Sequence, residues 1–324
     1  MSPQSVALPD GTVTSALGFG CSALVGGRTA KESLRLLDAA YDAGIRHFDV
    51  ARVYGTGDAE AVLGRFAGRH RDEISIATKF GIDPLPRTAP INALKHLVRP
   101  AMRRSRRLLG FVRRHASVTV SRREFTPEGA RRSLETSLRE LATPYIDVLL
   151  LHDCTAEQWA HPQLQETLAD LREQGLIRSF GAASSHAEVT AITRAPGPRP
   201  PVAQFESDAV NGHARGFADA ANGTVAITYG ALREALPAIT RHLARDPAQA
   251  SAWTRDVGAD VRVPRQLAAL LLCAALHENP HGIVLFSSGS EERIRANARI
   301  ASEPPFAPEQ VQALIARAQR VPAW

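Results

Sequence analysis

Short apolar runs alternate with longer amphipathic segments along most of this chain of 324 residues. The segment 30–43 is an example, because its apolar residues recur at the 3.6-residue period of a helix. Thr29 and Glu32 form a capping box at its start, and a strand-type run at 46–50 follows it directly. Regular alternation of this kind is typical of α/β folds.

The alternation predicts eight strands, each followed by at least one helix. The predicted strands cover residues 15–21, 46–50, 74–79, 146–151, 177–183, 201–206, 224–229 and 282–287. The predicted helices cover residues 30–43, 58–67, a segment that begins at Thr126–Pro127, 161–174, 186–193, 213–220, 231–244, 265–278, 291–300 and 308–319. The segment 245–263 is predicted to be a loop. Because no apolar block remains for a second domain, we expect an α/β fold, a single-domain (β/α)8 TIM barrel over residues 1–324.

An open, doubly wound sheet is the alternative fold for the same alternation. Its dinucleotide-binding form carries the pattern G-x-G-x-x-G after the first strand. Gly18 and Gly20 supply the first two glycines, but Ala23 stands where the third belongs. No other strand is followed by the pattern, which favours the barrel.

The basic charge of the chain is concentrated in one insertion. A net charge of +6 with a pI of about 9.7 ordinarily points to nucleic acid or an anionic membrane. The segment 84–123 contains eleven arginines and lysines and no acidic residue, which leaves −5 for the remaining chain. We therefore define a basic insertion at 84–125, after the third predicted strand. In a barrel it leaves from the carboxyl-terminal face, where active sites are built.

Two roles for the basic insertion remain open. Its apolar residues fit amphipathic helical pieces at 91–98 and 108–112, separated by Pro100, and such pieces could form a membrane-surface helix over 91–115. The other role is a solvated or partly disordered lid beside the active site. We favour the lid and expect no nucleic-acid partner.

Cysteine usage and the amino terminus bear on the compartment. Cys21, Cys154 and Cys273 are far apart and contain no C-x-x-C pair, so neither a disulfide framework nor a zinc ribbon is expected. The start of the chain lacks the pattern of a signal peptide, and the longest apolar run, 267–276, is too short to span a membrane. We expect a soluble, cytoplasmic protein without a metal site.

Titratable side chains stand at the ends of three successive predicted strands. Asp49, Lys79 and His152 end the second, third and fourth strands, and Tyr54 lies five residues after Asp49. Because the carboxyl ends of barrel strands surround one mouth, these four side chains should converge. Lys79 is the most informative of them, since the chain has only three lysines among 39 basic residues. A buried ammonium is unfavourable without a compensating anion or a role in proton transfer.

Together these four groups could deliver a proton to a carbonyl. Tyr54 would donate it, the ammonium of Lys79 would lower the pKa of the phenol, and Asp49 would hold that ammonium in place. His152 could orient and polarise the carbonyl. No side chain is an evident nucleophile, because Cys154 lacks an orienting group, so a hydride from a nicotinamide would complete the reaction.

These segments resemble the aldo-keto reductase superfamily. The resemblance rests on Leu17–Gly20, the D-x-A-x-x-Y segment 49–54, Thr78–Lys79 and the L-L-L-H-D segment 149–153, in that order, and it extends to the last strand. It implies a TIM barrel and an NAD(P)H-dependent carbonyl reductase. The catalytic residues that it implies are Asp49, Tyr54, Lys79 and His152.

The same resemblance implies a set of cofactor contacts. Gln204 corresponds to the glutamine that binds the nicotinamide carboxamide, Tyr229 to the aromatic residue that stacks on nicotinamide, and Arg293 and Asn297 to residues that bind the adenosine phosphate and adenine. The remaining residues implied for the cofactor site are Asp49, Ser184, Gly230, Leu232, Ser287, Ser288, Gly289 and Ser290. Ser290 can also cap a helix whose amino terminus favours a phosphate.

Two positions depart from the family pattern. Ala183–Ser184 stands where the family usually has Ser-Asn for the carboxamide, and Ser287 stands where many NADP-preferring members have a lysine beside the 2′-phosphate. Arg293 still favours NADP(H) over NAD(H). We expect a reductase of an aldehyde or ketone, or a dehydrogenase of the matching alcohol or sugar, with a small-molecule substrate. A redox-responsive regulatory subunit that binds the cofactor is the alternative function.

Overall fold

The computed structural model describes residues 4–24, 28–84, 123–220 and 223–321. Their strands are β1 (Ser5–Ala7), β2 (Val13–Ser15), β3 (Leu17–Gly20), β4 (His47–Asp49), β5 (Ser75–Phe80), β6 (Ile146–His152), β7 (Ile177–Ala183), β8 (Val202–Glu206), β9 (Val225–Tyr229) and β10 (Ile283–Phe286). Their helices are α1 (Ala30–Asp42), α2 (Ala59–Ala67), α3 (Pro127–Leu141), α4 (Ala156–Trp159), α5 (Pro162–Glu173), α6 (His186–Arg194), α7 (His213–Ala220), α8 (Ala235–Arg245), α9 (Pro247–Val257), α10 (Pro264–Glu278), α11 (Glu291–Ser302) and α12 (Pro308–Ala318).

Strands β3 to β10 form a closed parallel barrel. Each pairs with its neighbour in chain order, and β10 pairs with both β9 and β3, which closes the ring. The predicted (β/α)8 TIM barrel is therefore confirmed, and each predicted strand ends within two residues of the observed one. The capping box at Thr29 and the proline at the first turn of α3 are present as predicted.

Strand β6 shows how the barrel is packed on both sides. Leu149 and Leu151 point outward and pack in the layer between barrel and helices, whereas Val148 and Leu150 point into the barrel interior. All four are fully buried. A strand covered on both faces has no polar side, which explains its continuously apolar sequence.

An antiparallel hairpin precedes the barrel, outside the predicted alternation of strands and helices. Strands β1 and β2 pair with each other, and Val6 and Leu8 pack into the same cluster as the barrel interior. Ser75 at the start of β5 donates a hydrogen bond of 2.8 Å to Thr14 Oγ1 of the hairpin. The hairpin thus covers the amino-terminal end of the barrel.

Near residue 245 the predicted loop was wrong, and one predicted helix starts four residues too early. The segment 245–263 contains helix α9, which Asp246 caps by accepting hydrogen bonds from Ala248 and Gln249. Helix α8 begins at Ala235 rather than at 231, because residues 230–234 form a turn. In this turn Gly230 has a φ of +91°, which favours glycine over other residues.

The two ends of the basic insertion lie side by side. Ile82 and Arg123 form an antiparallel bridge, and Glu124 donates a backbone hydrogen bond of 2.9 Å to Gly81. Residues 85–122 lie outside the described residues, and with them the helical pieces predicted at 91–98 and 108–112 and the membrane-surface helix over 91–115. No helix in the described part of the chain is long and apolar enough to cross a membrane.

Candidate active site

A buried ion pair lies at the carboxyl-terminal end of the barrel. Lys79 Nζ donates to both carboxylate oxygens of Asp49 at 2.7 Å and to the carbonyl of Val50 at 3.0 Å. Both charged residues are almost fully buried, at 2% and 3% exposure. Burial lowers the pKa of Lys79, but Asp49 and Tyr54 outweigh it and hold that pKa above its usual value. Lys79 is therefore an ammonium at neutral pH.

Tyr54 and His152 stand over this ion pair. Lys79 Nζ lies 5.3 Å from the centroid of the Tyr54 ring, and the rings of Tyr54 and His152 meet edge to face with centroids 6.2 Å apart. Burial lowers the pKa of His152 to about 4, and the positive charge of Lys79 acts in the same direction. His152 is thus a neutral imidazole at neutral pH. The structure brings together all four side chains that the sequence predicted to converge.

The pKa of Tyr54 moves in the direction opposite to the prediction. Lys79 is the largest single influence and lowers this pKa, but burial, Asp49 and Cys21 together outweigh it, and the net pKa of Tyr54 is raised. Burial is the largest of the causes that raise this pKa, and the negative charge of Asp49 beside Lys79 adds to it. Tyr54 is therefore fully protonated at neutral pH.

Gln204 contacts the carboxylate of the ion pair. Its Nε2 donates a hydrogen bond of 2.7 Å to Asp49 Oδ2, although 155 residues separate the two in sequence. The side chain comes from β8, whose residues reach the barrel interior opposite β4, and it is 3% exposed. The resemblance implied a contact with the cofactor for Gln204, and no local sequence signal indicates its contact with Asp49.

A buried glutamate braces the loop that carries Tyr54. Glu60 of α2 accepts a hydrogen bond of 2.7 Å from Thr78 and pairs with Arg52 at 3.4 Å. Thr78 immediately precedes Lys79, and Arg52 lies between Asp49 and Tyr54. These two contacts link the ends of β4 and β5 through the carboxylate of Glu60. They also hold in place the loop in which Tyr54 begins a short 3-10 turn.

His47 precedes Asp49 by two residues on β4 and lies deeper in the barrel. Both point inward from β4, since the residue between them, Phe48, packs in the outer layer. Ser75 donates its proton to Thr14, so His47 Nδ1 donates to Ser75 at 2.9 Å and Nε2 keeps its lone pair. Nε2 has no hydrogen-bond partner among the described residues. Burial lowers the pKa of His47 to about 4.

The loop after β10 forms a polar turn at the start of α11. Ser290 caps the helix by accepting a hydrogen bond from the backbone of Arg293, as predicted. Arg293 Nε reaches Ser288 Oγ at 3.5 Å. The hydroxyl of Ser287 instead donates to Gly20 O at 2.6 Å, so it ties this loop to the end of β3.

Arg28 joins this loop from the other end of the chain, a contact that the sequence analysis missed. A Cβ placed on Gly289 would lie only 1.7 Å from Arg28 Nη2 and 2.6 Å from Cζ, so the guanidinium rests on the glycine backbone. Arg28 precedes α1 and therefore leaves the barrel beside β3, the neighbour of β10. Only this barrel neighbour relation could have suggested the contact.

The other predicted cofactor residues lie around the same mouth. Tyr229 ends β9, its ring lies 5.7 Å from the guanidinium carbon of Arg233, and burial raises its pKa to about 12. Leu232 packs against a helical apolar cluster, and Asn297 follows Arg293 by one helical turn. Their roles in binding a cofactor stay predictions.

Ser184 and Cys154 contact each other behind the site. Ser184 donates its hydroxyl proton to Cys154 O at 2.7 Å, so toward a carboxamide it could only accept a hydrogen bond. Burial raises the pKa of Cys154 to about 12, which leaves its thiol protonated and a poor nucleophile. Among the described residues, no group of three or more His, Cys, Asp or Glu side chains could hold a metal ion.

Comparison with known proteins identifies the family. The model of the Aldo/keto reductase family matches residues 16–317. The chain belongs to this family. A curated aldo-keto reductase relative, D-threo-aldose 1-dehydrogenase from a Pseudomonas species, is 31% identical over 206 residues, which cover 60% of this chain and 56% of that protein. The chain therefore spans about half the length of this relative, and pyridoxal 4-dehydrogenase from Microbacterium luteolum is matched over a similar share, 52%, at 29% identity.

Solved aldo-keto reductases share the fold over the whole chain. The holo form of an aldo-keto reductase from Bacillus halodurans superposes with a TM-score of 0.71 at 18% identity and covers 99% of this chain and 98% of its own. An aldo-keto reductase from Klebsiella pneumoniae in complex with NADPH superposes with a TM-score of 0.63 at 20% identity, covering 98% and 96%. At these identities the likeness concerns the fold.

Proposed function

We propose that this aldo-keto reductase reduces an aldehyde or ketone with NADP(H), or oxidises the matching alcohol or sugar. The observation that carries the proposal is the buried Lys79–Asp49 ion pair beneath Tyr54 and beside His152. Burying two charges costs several kcal/mol per ion before their attraction is counted. A protein fold gains little stability from such a pair, whereas an ammonium beside Tyr54 can stabilise the phenolate that proton donation leaves behind.

The carboxyl-terminal end of the barrel fits a nicotinamide dinucleotide. Gly289 supports this fit. It has no side chain, and the guanidinium of Arg28 lies against its backbone, an arrangement suited to binding an anion. Asp49, Ser184, Gln204 and Tyr229 would hold its nicotinamide end. Its phosphates and adenine would be held by Gly230, Leu232, Ser287, Ser288, Gly289, Ser290, Arg293 and Asn297. When bound, this group supplies the hydride.

The four side chains would then divide the remaining chemistry. Tyr54 holds its proton firmly and donates it to the substrate oxygen as negative charge develops there. Neutral His152 donates a hydrogen bond to the same oxygen and orients the carbonyl. Lys79 stabilises the phenolate that remains, and Asp49 keeps the ammonium in place. In alcohol oxidation the same groups act in reverse.

The curated relatives bear on the substrate class. One is named for dehydrogenation of an aldose at carbon 1 and another for dehydrogenation of pyridoxal at carbon 4, so both names describe oxidation of a small polar molecule that carries hydroxyl groups. We propose a substrate of this kind.

The three cysteines are buried free thiols, which supports the proposal of a reducing compartment such as the cytoplasm.

Removal of one phenolic oxygen tests the proposal. Tyr54→Phe should lower kcat for carbonyl reduction by about 100-fold to 10,000-fold, the usual range for loss of a general acid, while NADPH fluorescence shows unchanged binding. Tyr145→Phe is the matched control, because Tyr145 precedes β6 at the opposite end of the barrel. A Tyr54→Phe enzyme with near wild-type turnover would contradict the mechanism. Wild-type protein that binds NADPH but reduces no carbonyl in a broad panel would favour the regulatory subunit.

A further inference from the structure

Two arginine side chains contact the short segment Ser288–Ser290, which lies in the proposed cofactor site. Arg28 rests on the backbone of Gly289, and Arg293 reaches Ser288 Oγ at 3.5 Å. Residues 28 and 293 lie near opposite ends of the sequence, and the parallel pairing of β3 with β10 brings them together. One side chain approaches the Ser288–Ser290 segment from the loop before α1, and the other approaches it from α11.

The segment itself is held by its own hydrogen bonds and has no side chain at its centre. Ser288 and Ser290 are held by each other, since Ser290 N donates to Ser288 Oγ at 3.2 Å. Gly289 between them is the residue on which any Cβ would collide with Arg28.

The chemistry of the pair indicates what it binds. Each guanidinium is a planar fork that can donate two parallel hydrogen bonds to a phosphate. A terminal phosphate monoester offers three free oxygens and close to two negative charges, enough for two forks, whereas a bridging pyrophosphate spreads its charge along a chain. Ser287 provides no positive charge, and its hydroxyl is already committed to Gly20.

From these observations we infer that Arg28 and Arg293 together bind the adenosine 2′-phosphate, and that Arg28 is a specificity residue for NADP(H) over NAD(H). The inference rests on the proposed function, since it concerns the cofactor of that site. Arg28 supplies, from the far end of the sequence, the second cation that Ser287 does not supply. The β3–α1 loop thereby becomes part of cofactor selection.

Equilibrium binding of four probes tests this inference. NADPH and 2′,5′-ADP carry the 2′-phosphate, whereas NADH and 5′-AMP lack it. Arg28→Gln should raise Kd for the first two by about tenfold to a hundredfold, as expected for lost charge-assisted hydrogen bonds. Kd for NADH and 5′-AMP should stay within about twofold. Arg28→Lys should recover part of the loss, and Arg139→Gln, an equal change of charge in the last turn of α3, should change none of the four values.

A double-mutant cycle tests whether the two arginines share one phosphate. Arg28→Gln and Arg293→Gln should be non-additive for NADPH, and their coupling should vanish for NADH. Equal losses for NADPH and NADH would overturn the inference, and so would tighter binding by Arg28→Gln, which would make Arg28 an obstacle. Wild-type protein that binds no dinucleotide would overturn the proposed function together with the inference. Wild-type binding that Arg28→Gln leaves unchanged would overturn the inference alone.

Discussion

At the scale of single residues, Asp49 is held by three hydrogen bonds at the centre of the proposed catalytic groups. It accepts two hydrogen bonds from Lys79 and one from Gln204, all at 2.7 Å. These bonds fix the carboxylate and also neutralise Lys79. The neutralised pair exerts a weaker field on Tyr54 than an isolated ammonium would, which is why burial decides the pKa of the phenol.

The raised pKa of Tyr54 predicts different pH profiles for the two directions of the reaction. Reduction needs protonated Tyr54 and neutral His152, whose pKa is about 4, so kcat/KM should be flat from about pH 5.5 to 9. Oxidation needs the phenolate, so its kcat/KM should rise toward alkaline pH. Steady-state rates in both directions at constant ionic strength measure this. An ionisation near pH 7 in the reduction profile would contradict the protonated phenol.

The sequence predicts side chains that stand at strand ends but not the contacts between them. Asp49, Lys79 and His152 could be placed because each ends an apolar strand and barrel strands share one mouth. The direction in which the pKa of Tyr54 shifts could not be predicted, since it depends on how far burial and Asp49 offset the charge of Lys79. The contact of Arg28 with Gly289 likewise depends on which loops the closed ring makes neighbours.

At the scale of elements, the basic insertion begins and ends at one place. The bridge between Ile82 and Arg123 joins the two ends of the insertion. Arg123 also forms a salt bridge of 2.5 Å with Asp153, the residue that follows His152 in the sequence. Its closing end therefore lies next to a proposed catalytic residue. This position supports the proposal of a lid over one of a separate binding surface.

Deletion of residues 88–122 tests the lid at this scale. The barrel should fold, because the paired ends can be joined by a short linker, and KM for the substrate should change several-fold while NADPH binding stays within about twofold. Thermal unfolding and steady-state kinetics measure both effects. Binding to anionic vesicles that the full chain shows and the deletion lacks would instead support the membrane-surface helix.

Two elements outside the predicted alternation have recognisable sequence signals. The hairpin turn contains Pro9, Asp10 and Gly11, a typical turn sequence, and Gly11 has a φ of +86°. Helix α9 starts at Asp246–Pro247, the same kind of signal that located α3 at Thr126–Pro127. Both elements lie outside the regular alternation of strands and helices, and a (β/α)8 barrel does not require either of them.

At the scale of the whole molecule, the two histidines buried in the barrel link stability to pH. The pKa of His47 and that of His152 are each about 4, whereas an unfolded histidine has a pKa of about 6.5. Between these values the unfolded chain binds protons that the folded chain excludes. Stability therefore rises with pH from about 4 to 6.5, by up to about 1.4 kcal/mol per pH unit for each histidine.

The variant His47→Asn tests this linkage. Asparagine can replace the hydrogen bond of Nδ1 to Ser75 but cannot take up a proton, so the rise of unfolding free energy between about pH 4.5 and 6.5 should lose about 1 kcal/mol per pH unit. Urea unfolding at several pH values measures the slope, which a uniform loss of stability leaves unchanged. The exposed His281→Asn is the control. An unaltered slope in His47→Asn would show that His47 does not contribute.

The amino-terminal hairpin has a kinetic consequence for the proposed reaction. With Val6 and Leu8 packed into one end of the barrel and buried side chains filling its interior, reactants can reach the ion pair only from the carboxyl-terminal end. Two reactants that share this one approach must lie one above the other, so we expect the molecule that enters last to leave first. Turnover is then ordered by geometry, and the rate at which the deeper molecule departs sets an upper limit on the speed of the enzyme.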